Sequence, residues 1–414
     1  MNLKEKIYRL LRHSEKYIKT DMIYLAKGSF WLVLGQIISA ITAFLLLLAF
    51  ANLIEPSVYG NYKYLLSIFG LLSIFSLTGM GNAVSRAVAM DFEGSVIDSF
   101  KTKIKWASVG SMVIIMLAIY YWLQGNNNLP IPLILAALFL PLMQASLIYG
   151  DFLSGKKNFT ALTKFSSLTS VLVTFLLIII LFLTKNLFII IAAYLIGYTS
   201  LNFIFFTVVL KKFKPNQKTD DQTISYGKHL SLMDVLNIIA NYLDRLLIFQ
   251  FLGATELAIY SLAIAPPEKL KGYLKNIYTL AIPKFSLRSR EEIKATIYKK
   301  MSRFALFIIV IIILYIIFIP FVFRLFFPKY LISVVYSQIF AIGLIGATAA
   351  LPQSALLSQM AKKQLYQINI IIPLVQIFLL FVLIYFWGLW GAIIARLITR
   401  VFILIFFSWG IKQI

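Results

Sequence analysis

Residues 28–51 read GSFWLVLGQIISAITAFLLLLAFA, a largely apolar stretch of 24 residues without a charged side chain. A helix needs about 20 such residues to cross the hydrocarbon core of a bilayer. Further stretches of this kind follow, so the sequence predicts an all-α, polytopic membrane protein of about 12 transmembrane helices. The predicted spans are residues 28–51, 60–85, 106–123, 130–150, 164–183, 187–210, 229–251, 257–283, 302–323, 331–358, 365–386 and 388–410.

Composition supports a membrane protein and argues against several other classes. Of 414 residues, 60% are apolar and 13% are charged, whereas a soluble domain carries about 25% charged residues. The net charge of +23 would suit a nucleic-acid binder. The basic residues, however, lie between apolar runs and not on one soluble face, so no nucleic-acid partner is expected. Cysteine is absent and only His13 and His229 are histidines, so no metal site and no catalytic thiol is predicted.

The distribution of Lys and Arg predicts the orientation of the chain. With the N-terminus inside, the cytoplasmic segments carry 27 of these residues and the external loops carry three. Basic residues favour the cytoplasmic side, so both termini are predicted to be cytoplasmic. The external loops are short, which leaves no large loop to house an enzyme that acts outside the cell, and we expect no enzymatic activity.

Twelve spans predict two lobes of six helices in one orientation, with a central cavity between them. EPSVYG at residues 55–60 and ELAIYS at 256–261 repeat Glu and Tyr at an offset of 201, and GKKNF at 155–159 matches AKKQL at 361–365 at an offset of 206. The basic N-terminal segment is either an amphipathic helix on the inner leaflet or a plain topogenic tail. The predicted domains are the N-terminal segment 1–27, the N-lobe 28–210, a cytoplasmic linker 211–228, the C-lobe 229–410 and a cytoplasmic tail 411–414.

Several charged residues fall inside predicted spans, where each costs about 2.5 to 3.5 kcal/mol unless it meets water, a partner or a ligand. Arg396 and Arg400 lie four residues apart in the last span and therefore share one helix face. Lys271 and Lys275 repeat this spacing in the eighth span. Glu268 lies one turn from Lys271, so a structural ion pair is an alternative to a ligand site there. Pro266 and Pro267 leave the register of this span open.

The seventh span carries a polar stripe, in which Asp234, Asn237, Asn241 and Asp244 recur at steps of three or four and end in Arg245. Such a stripe lines a wet cavity or forms interhelical hydrogen bonds; its length favours the cavity. Cations outnumber acids within the spans, and guanidinium groups suit phosphate oxygens. We therefore expect the intramembrane cations to converge on one hydrated chamber that attracts an anion.

Three motifs carry a resemblance to a known family. They are LIEPSVYGNY at residues 53–62, LTGMGNAVSRAVA at 77–89 and YLDRLLIFQFLGATELAIYSLA at 242–263. Together with the number and orientation of the spans, they resemble bacterial polysaccharide flippases of the Wzx type. These flippases belong to the multidrug/oligosaccharidyl-lipid/polysaccharide exporter superfamily.

The resemblance implies a flippase of the bacterial cytoplasmic membrane, working by alternating access. Its substrate would be an oligosaccharide repeat unit linked to undecaprenyl diphosphate, moved to the outer leaflet for O-antigen or capsule synthesis. Partners would be membrane lipid, a polysaccharide polymerase and a chain-length regulator. Matching the motifs places Arg86 at the basic end of the second span and Asp244 with Arg245 at an Asp-Arg pair of the seventh. The diphosphate site would thus combine Arg86 and Arg245 with Lys271, Lys275, Arg396 and Arg400, which come from the charge pattern alone.

No cofactor is expected, and the sequence lacks a Walker motif, which excludes ATP hydrolysis by this chain. We hypothesise coupling to a proton or sodium gradient, with Asp234, Asp244 or Glu268 as candidate ion carriers. An ion-coupled multidrug or small-solute transporter is the nearest alternative, although the loop after the second span lacks the Gly-x-x-x-Asp-Arg-x-Gly pattern of major facilitators. A glycan polymerase or ligase would need the large external loop that is missing.

Overall fold

The computed structural model describes residues 22–279, 289–359 and 361–413, and these residues form helices and connecting turns without a strand. Most of the predicted N-terminal segment, residues 1–21, lies outside them. The helices are α1 Met22–Leu53, α2 Pro56–Leu72, α3 Met80–Ala89, α4 Ser95–Leu123, α5 Pro130–Ser146, α6 Ile148–Gly155, α7 Phe159–Leu183, α8 Leu187–Phe213, α9 Gln222–Leu252, α10 Ala254–Thr279, α11 Arg290–Phe326, α12 Ser333–Ile342, α13 Ala350–Ser358 and α14 Lys362–Gln413.

Twelve crossings result from these helices, as the sequence predicted. Nine helical segments of the described chain are long and apolar enough to cross a bilayer, and α2 with α3 forms another crossing that is bent by 50°. The long helix α14 contains two crossings, because Gly388 breaks it with φ 55° and ψ −130°. Helix α10 is too polar to qualify by hydropathy, yet it continues through Pro266 and Pro267 and completes the set.

The chain turns back sharply at Gly388. A straight helix of 52 residues would be about 78 Å long, more than twice the hydrocarbon thickness. Instead, Gly391 lies so close to Leu383 that a Cβ added at Gly391 would fall 1.8 Å from the Leu383 carbonyl oxygen. Glycine at 388 and 391 thus allows the last two crossings to form a tight helical hairpin.

We expect Gly391→Ala to destabilise this hairpin by about 1 to 3 kcal/mol or more, because the new methyl group must displace backbone and not a flexible side chain. Thermal unfolding of the detergent-purified chain measures the effect. Gly272→Ala is the matched control, since an added Cβ there has nothing within 4 Å. Equal melting temperatures for both variants would show that the hairpin is not closely packed.

The two halves carry the repeated motifs at equivalent places. Tyr59, near the start of α2, and Tyr260, near the start of α10, are both fully buried. The fourth crossing is divided into α5 and α6, and the tenth is divided into α12 and α13 with a 3-10 segment at Gly343–Ala349 between them. The division into domains at the predicted boundaries stays a prediction; the segment between α8 and α9 falls within the predicted linker.

The lobes meet where α2 and α3 of the N-lobe pack against α9 and α10 of the C-lobe. At one end of this interface, an added Cβ at Gly60 would fall 1.8 Å from the carbonyl oxygen of Ala254, which begins α10. At the other end, the backbone N–H of Gly79 donates to the Ser231 hydroxyl at 3.0 Å. Glycines at these positions let the helices approach closely, as small residues do in membrane interfaces. Along their helices, Lys63 of α2 and Asp244 and Arg245 of α9 lie between these two contacts.

Candidate functional site: a cationic cluster between the lobes

Eight charged residues from α2, α9, α10 and the second half of α14 gather in the interior. We call them the charge cluster: Lys63, Asp244, Arg245, Glu268, Lys269, Lys271, Arg396 and Arg400. Six of them are cations and two are carboxylates, which gives this cluster a net charge of +4. Arg245, Lys271, Arg396 and Arg400 all belong to this cluster, but Arg245 lines one cavity and the other three line another, so their convergence on a single chamber stays a prediction.

Arg396 is locked to Asp244 across the C-lobe. Its Nη2 and Nε donate to one carboxylate oxygen of Asp244 at 2.6 and 3.1 Å, and the Tyr260 hydroxyl donates to the same oxygen at 2.6 Å. The side chain of Asp244 is 0% exposed and that of Arg396 is 11% exposed. The other Asp244 oxygen accepts the backbone N–H of Arg245 at 2.8 Å. The Asp244 carboxylate accepts hydrogen bonds from several donors, so the pair of Asp244 and Arg396 is satisfied without a ligand.

Arg400 pairs with Glu268. Its Nη2 donates to a Glu268 oxygen at 2.5 Å, while the Lys271 ammonium lies 3.7 Å from the other oxygen, as the structural alternative for Lys271 anticipated. Two glycines make room for Arg400, because an added Cβ at Gly343 would meet its guanidinium at 2.5 Å and one at Gly346 would meet its side chain at 3.0 Å. Arg396 and Arg400 are thus both paired with carboxylates in this conformation, and their place in the diphosphate site stays a prediction.

Three cations of the cluster have no carboxylate within ion-pair distance in the described part of the chain: Lys63, Arg245 and Lys269. Lys63 lies 5.4 Å from the centre of the Tyr59 ring, and Arg245 lies 5.8 Å from that of Tyr242. Lys63 also interacts electrostatically with Arg245 and Lys269. Like charges held near one another at low dielectric repel, so this arrangement favours an anionic ligand.

Two adjoining cavities meet at these cations. The central chamber, of 510 Å³, is lined by Lys63, Arg245 and Glu268, with Gln144 and Tyr242 among the other lining residues. The second cavity, of 430 Å³, we call the lateral cleft. It shares Lys63 with the central chamber, and aliphatic and aromatic side chains of α1, α2, α10 and α11 dominate its walls. Polar and apolar compartments therefore lie side by side.

Other predicted site residues lie elsewhere. Arg86 is exposed near the end of α3, 5.5 Å from the Tyr226 ring centre, and lines none of these cavities. The side chain of Lys275 falls outside those that the structure describes. Asp234 is half-buried on α9, whereas Asn237 and Asn241 line a separate cavity in the C-lobe.

The sequence interpretation missed Lys63 and Lys269. Lys63 lies at the edge of the predicted span 60–85, where a lysine can reach the headgroups, but α2 begins at Pro56, which places Lys63 about 10 Å along the helix axis. One signal was available: Ser67 and Gly70 follow at helical spacing and continue a face of small polar residues that lines the chamber.

Comparison with known proteins agrees with this architecture. The family model described as polysaccharide biosynthesis protein matches residues 25–287, more than half of the chain. An uncharacterized membrane protein of Methanocaldococcus jannaschii is 22% identical over 341 residues, which cover 75% of this chain and 66% of that protein, just under two thirds.

Solved transporter structures share the fold. The lipid II flippase MurJ in an inward closed conformation matches with a TM-score of 0.68 and 14% identity, covering 94% of this chain and 87% of that one. A MATE transporter in complex with MaD5 matches with a TM-score of 0.65 and 12% identity, covering 94% and 95%. The fold is thus that of MurJ and the MATE transporters of the MOP superfamily, and the chain itself belongs to the polysaccharide biosynthesis protein family.

Proposed function

We propose that this chain is a flippase that moves an oligosaccharide linked to a polyprenyl diphosphate, such as undecaprenyl diphosphate, from the inner to the outer leaflet of the bacterial cytoplasmic membrane. The head group would occupy the central chamber while the lipid tail stays in the bilayer. Export would supply O-antigen or capsule synthesis, beside a polymerase and a chain-length regulator. Transport would proceed by alternating access, with both termini on the cytoplasmic side.

The net positive charge of the cluster beside an apolar cleft is the observation that carries the proposal. A diphosphate brings charge that crosses hydrocarbon only at prohibitive cost, and fixed cations offset this cost. The lateral cleft offers the attached tail an apolar path next to Lys63. This pairing of compartments suits a ligand that is an anion at one end and a lipid at the other.

Glu268 is the stronger of the candidate ion carriers for a proton or sodium gradient. Glu268 is paired with Arg400 and lies near Lys271, but its side chain is 32% exposed and lines the central chamber, so an ion can reach it. Asp244 is fully buried and already accepts several hydrogen bonds, which leaves little place for an ion in this conformation. Asp234 lies half-buried on α9, outside the charge cluster.

Flipping in proteoliposomes tests the function. The purified chain is reconstituted into vesicles with a fluorescent undecaprenyl-diphosphate oligosaccharide. A glycosidase added outside cleaves only glycan in the outer leaflet, so the cleaved fraction measures flipping. We expect protein-dependent flipping, changed in rate by an imposed proton or sodium gradient. A lack of protein-dependent flipping would overturn the proposal. A flipping rate that neither gradient changes would contradict only the ion coupling.

An ion-coupled multidrug transporter is the second candidate, since MATE transporters share the fold. The charge of the cluster speaks against lipophilic cations as substrates, because a chamber with excess fixed cations repels them. Accumulation of ethidium in the same proteoliposomes separates the two functions. Gradient-driven ethidium transport without lipid flipping would favour the drug transporter.

A further inference from the structure

A second polar cavity, of 280 Å³, lies within the C-lobe and adjoins the charge cluster through Lys271, Arg396 and Arg400. Six uncharged polar side chains from α9, α13 and α14 line it: Asn237, Asn241, Gln353, Asn369, Gln376 and Thr399. We call this cavity the amide pocket. Neither the ion pairs nor the central chamber accounts for so many amides at one place.

Within the described residues, most of these amides have no side-chain hydrogen-bond partner. Gln376 donates to the Ala240 carbonyl at 2.6 Å. For Asn237, Asn241, Gln353 and Asn369, no side-chain hydrogen bond exists within the described residues. Asn241 lies 11 residues before the end of α9, about 16 Å into the helix, so this amide is not at a headgroup surface. Unpaired amides at that depth are costly unless they meet water or a ligand.

The charges around the pocket restrict the chemical class of ligand that it can bind. Among the residues that the structure describes, three cations and no carboxylate line the pocket, so a metal cation or sodium ion is disfavoured. Each amide offers both a donor and an acceptor, which matches a ligand whose groups are themselves donors and acceptors, above all hydroxyls. A neutral, hydroxyl-rich ligand satisfies the amides without adding charge, and the adjacent cations would hold an anion joined to it.

We infer that the amide pocket is a sugar subsite that binds the glycan portion of the head group next to the diphosphate. This inference rests on the proposed flippase function and adds the place where the glycan is recognised. Sugar and diphosphate are covalently joined. Arg400 lines the amide pocket and pairs with Glu268, which lines the central chamber, so one ligand can extend from the chamber into the pocket. If the pocket binds sugar, the protein binds glycosylated lipid more tightly than the bare lipid diphosphate.

Lipid binding by native mass spectrometry tests the subsite. The probes are undecaprenyl diphosphate and the same lipid carrying one hexose or one N-acetylhexosamine. We expect the full-length chain to bind at least one glycosylated lipid about tenfold more tightly than the bare diphosphate, the gain expected from two or so neutral hydrogen bonds. Asn237→Leu combined with Asn369→Leu should remove this preference and keep the affinity for the bare diphosphate. Gln250→Leu, which changes an exposed amide elsewhere on α9, should behave as the unchanged chain does.

The outcomes are distinguishable. Equal binding of all three lipids by the unchanged chain, or a preference that survives in the double variant, overturns the sugar subsite and leaves the flippase proposal standing. Binding of none of the lipids overturns both. Thermal stabilisation by sodium ions that the double variant loses would make the pocket a cation site and overturn the inference. If the double variant binds no lipid, the two single substitutions are judged by the same criteria.

Discussion

Replacing Arg396 by alanine is expected to destabilise the folded chain by about 3 to 5 kcal/mol, the cost of leaving a buried carboxylate without its cation. Asp244 is fully buried and takes two of its hydrogen bonds from Arg396. The loss should appear as a large fall in the melting temperature of the detergent-purified chain, together with reduced amounts in the membrane. From the sequence alone, we would have expected loss of transport with normal insertion.

A double substitution tests whether the lost stability comes from the buried carboxylate that is left without a cation. Asp244→Asn combined with Arg396→Met removes both charges and should recover much of the stability, because neither partner is left charged and buried. Lys185→Ala, an exposed position, should leave the melting temperature unchanged. If Arg396→Ala is as stable as the unchanged chain and loses only transport, then Arg396 acts on the substrate and not on the fold.

Neutralising Lys63 and Arg245 together should reduce flipping by about a hundredfold or more, since each charge-assisted hydrogen bond to a charged ligand contributes about 1.5 to 3 kcal/mol. Lys63→Gln with Arg245→Gln removes two cations that have no carboxylate partner in the described chain. The stability of the fold should therefore not fall. Reconstituted flipping of an undecaprenyl-diphosphate oligosaccharide measures the effect.

The matched control removes the same charge outside the chamber. Lys185→Gln with Arg324→Gln changes two exposed basic residues and should retain full flipping. Equal losses in the two double variants would mean that overall charge, and not the charge cluster, governs transport. A fall in melting temperature for the chamber variant would mean that Lys63 and Arg245 stabilise the fold.

The sequence predicted the architecture because hydrocarbon length is a local constraint. Most of the twelve crossings coincide with a run of some 20 apolar residues, which the sequence shows directly. Even α10, where Pro266 and Pro267 left the register open, is present as one helix. Gly388 was placed at the start of a span, but nothing local indicated that Gly391 would pack against Leu383 in a tight hairpin.

The pairing inside the site could not be predicted in the same way. Asp244 and Arg396 are 152 residues apart in the chain, and Glu268 and Arg400 are 132 apart, so no local spacing connects them. Helix-face reasoning placed Arg396 and Arg400 together correctly, yet it could not tell which cations would be neutralised. Lys63 shows the reverse case: it stands at the edge of the predicted span, yet it reaches the interior because its helix starts earlier than the apolar run.

Binding of three lipids with one tail tests the charge cluster most directly. Undecaprenol, undecaprenyl phosphate and undecaprenyl diphosphate differ only in their phosphate groups, so their relative affinities for the purified chain report on the cations alone. We predict that affinity rises from the alcohol to the monophosphate to the diphosphate, and that Lys63→Gln with Arg245→Gln flattens this series. Equal affinity for all three lipids in the unchanged chain would contradict a chamber that recognises diphosphate.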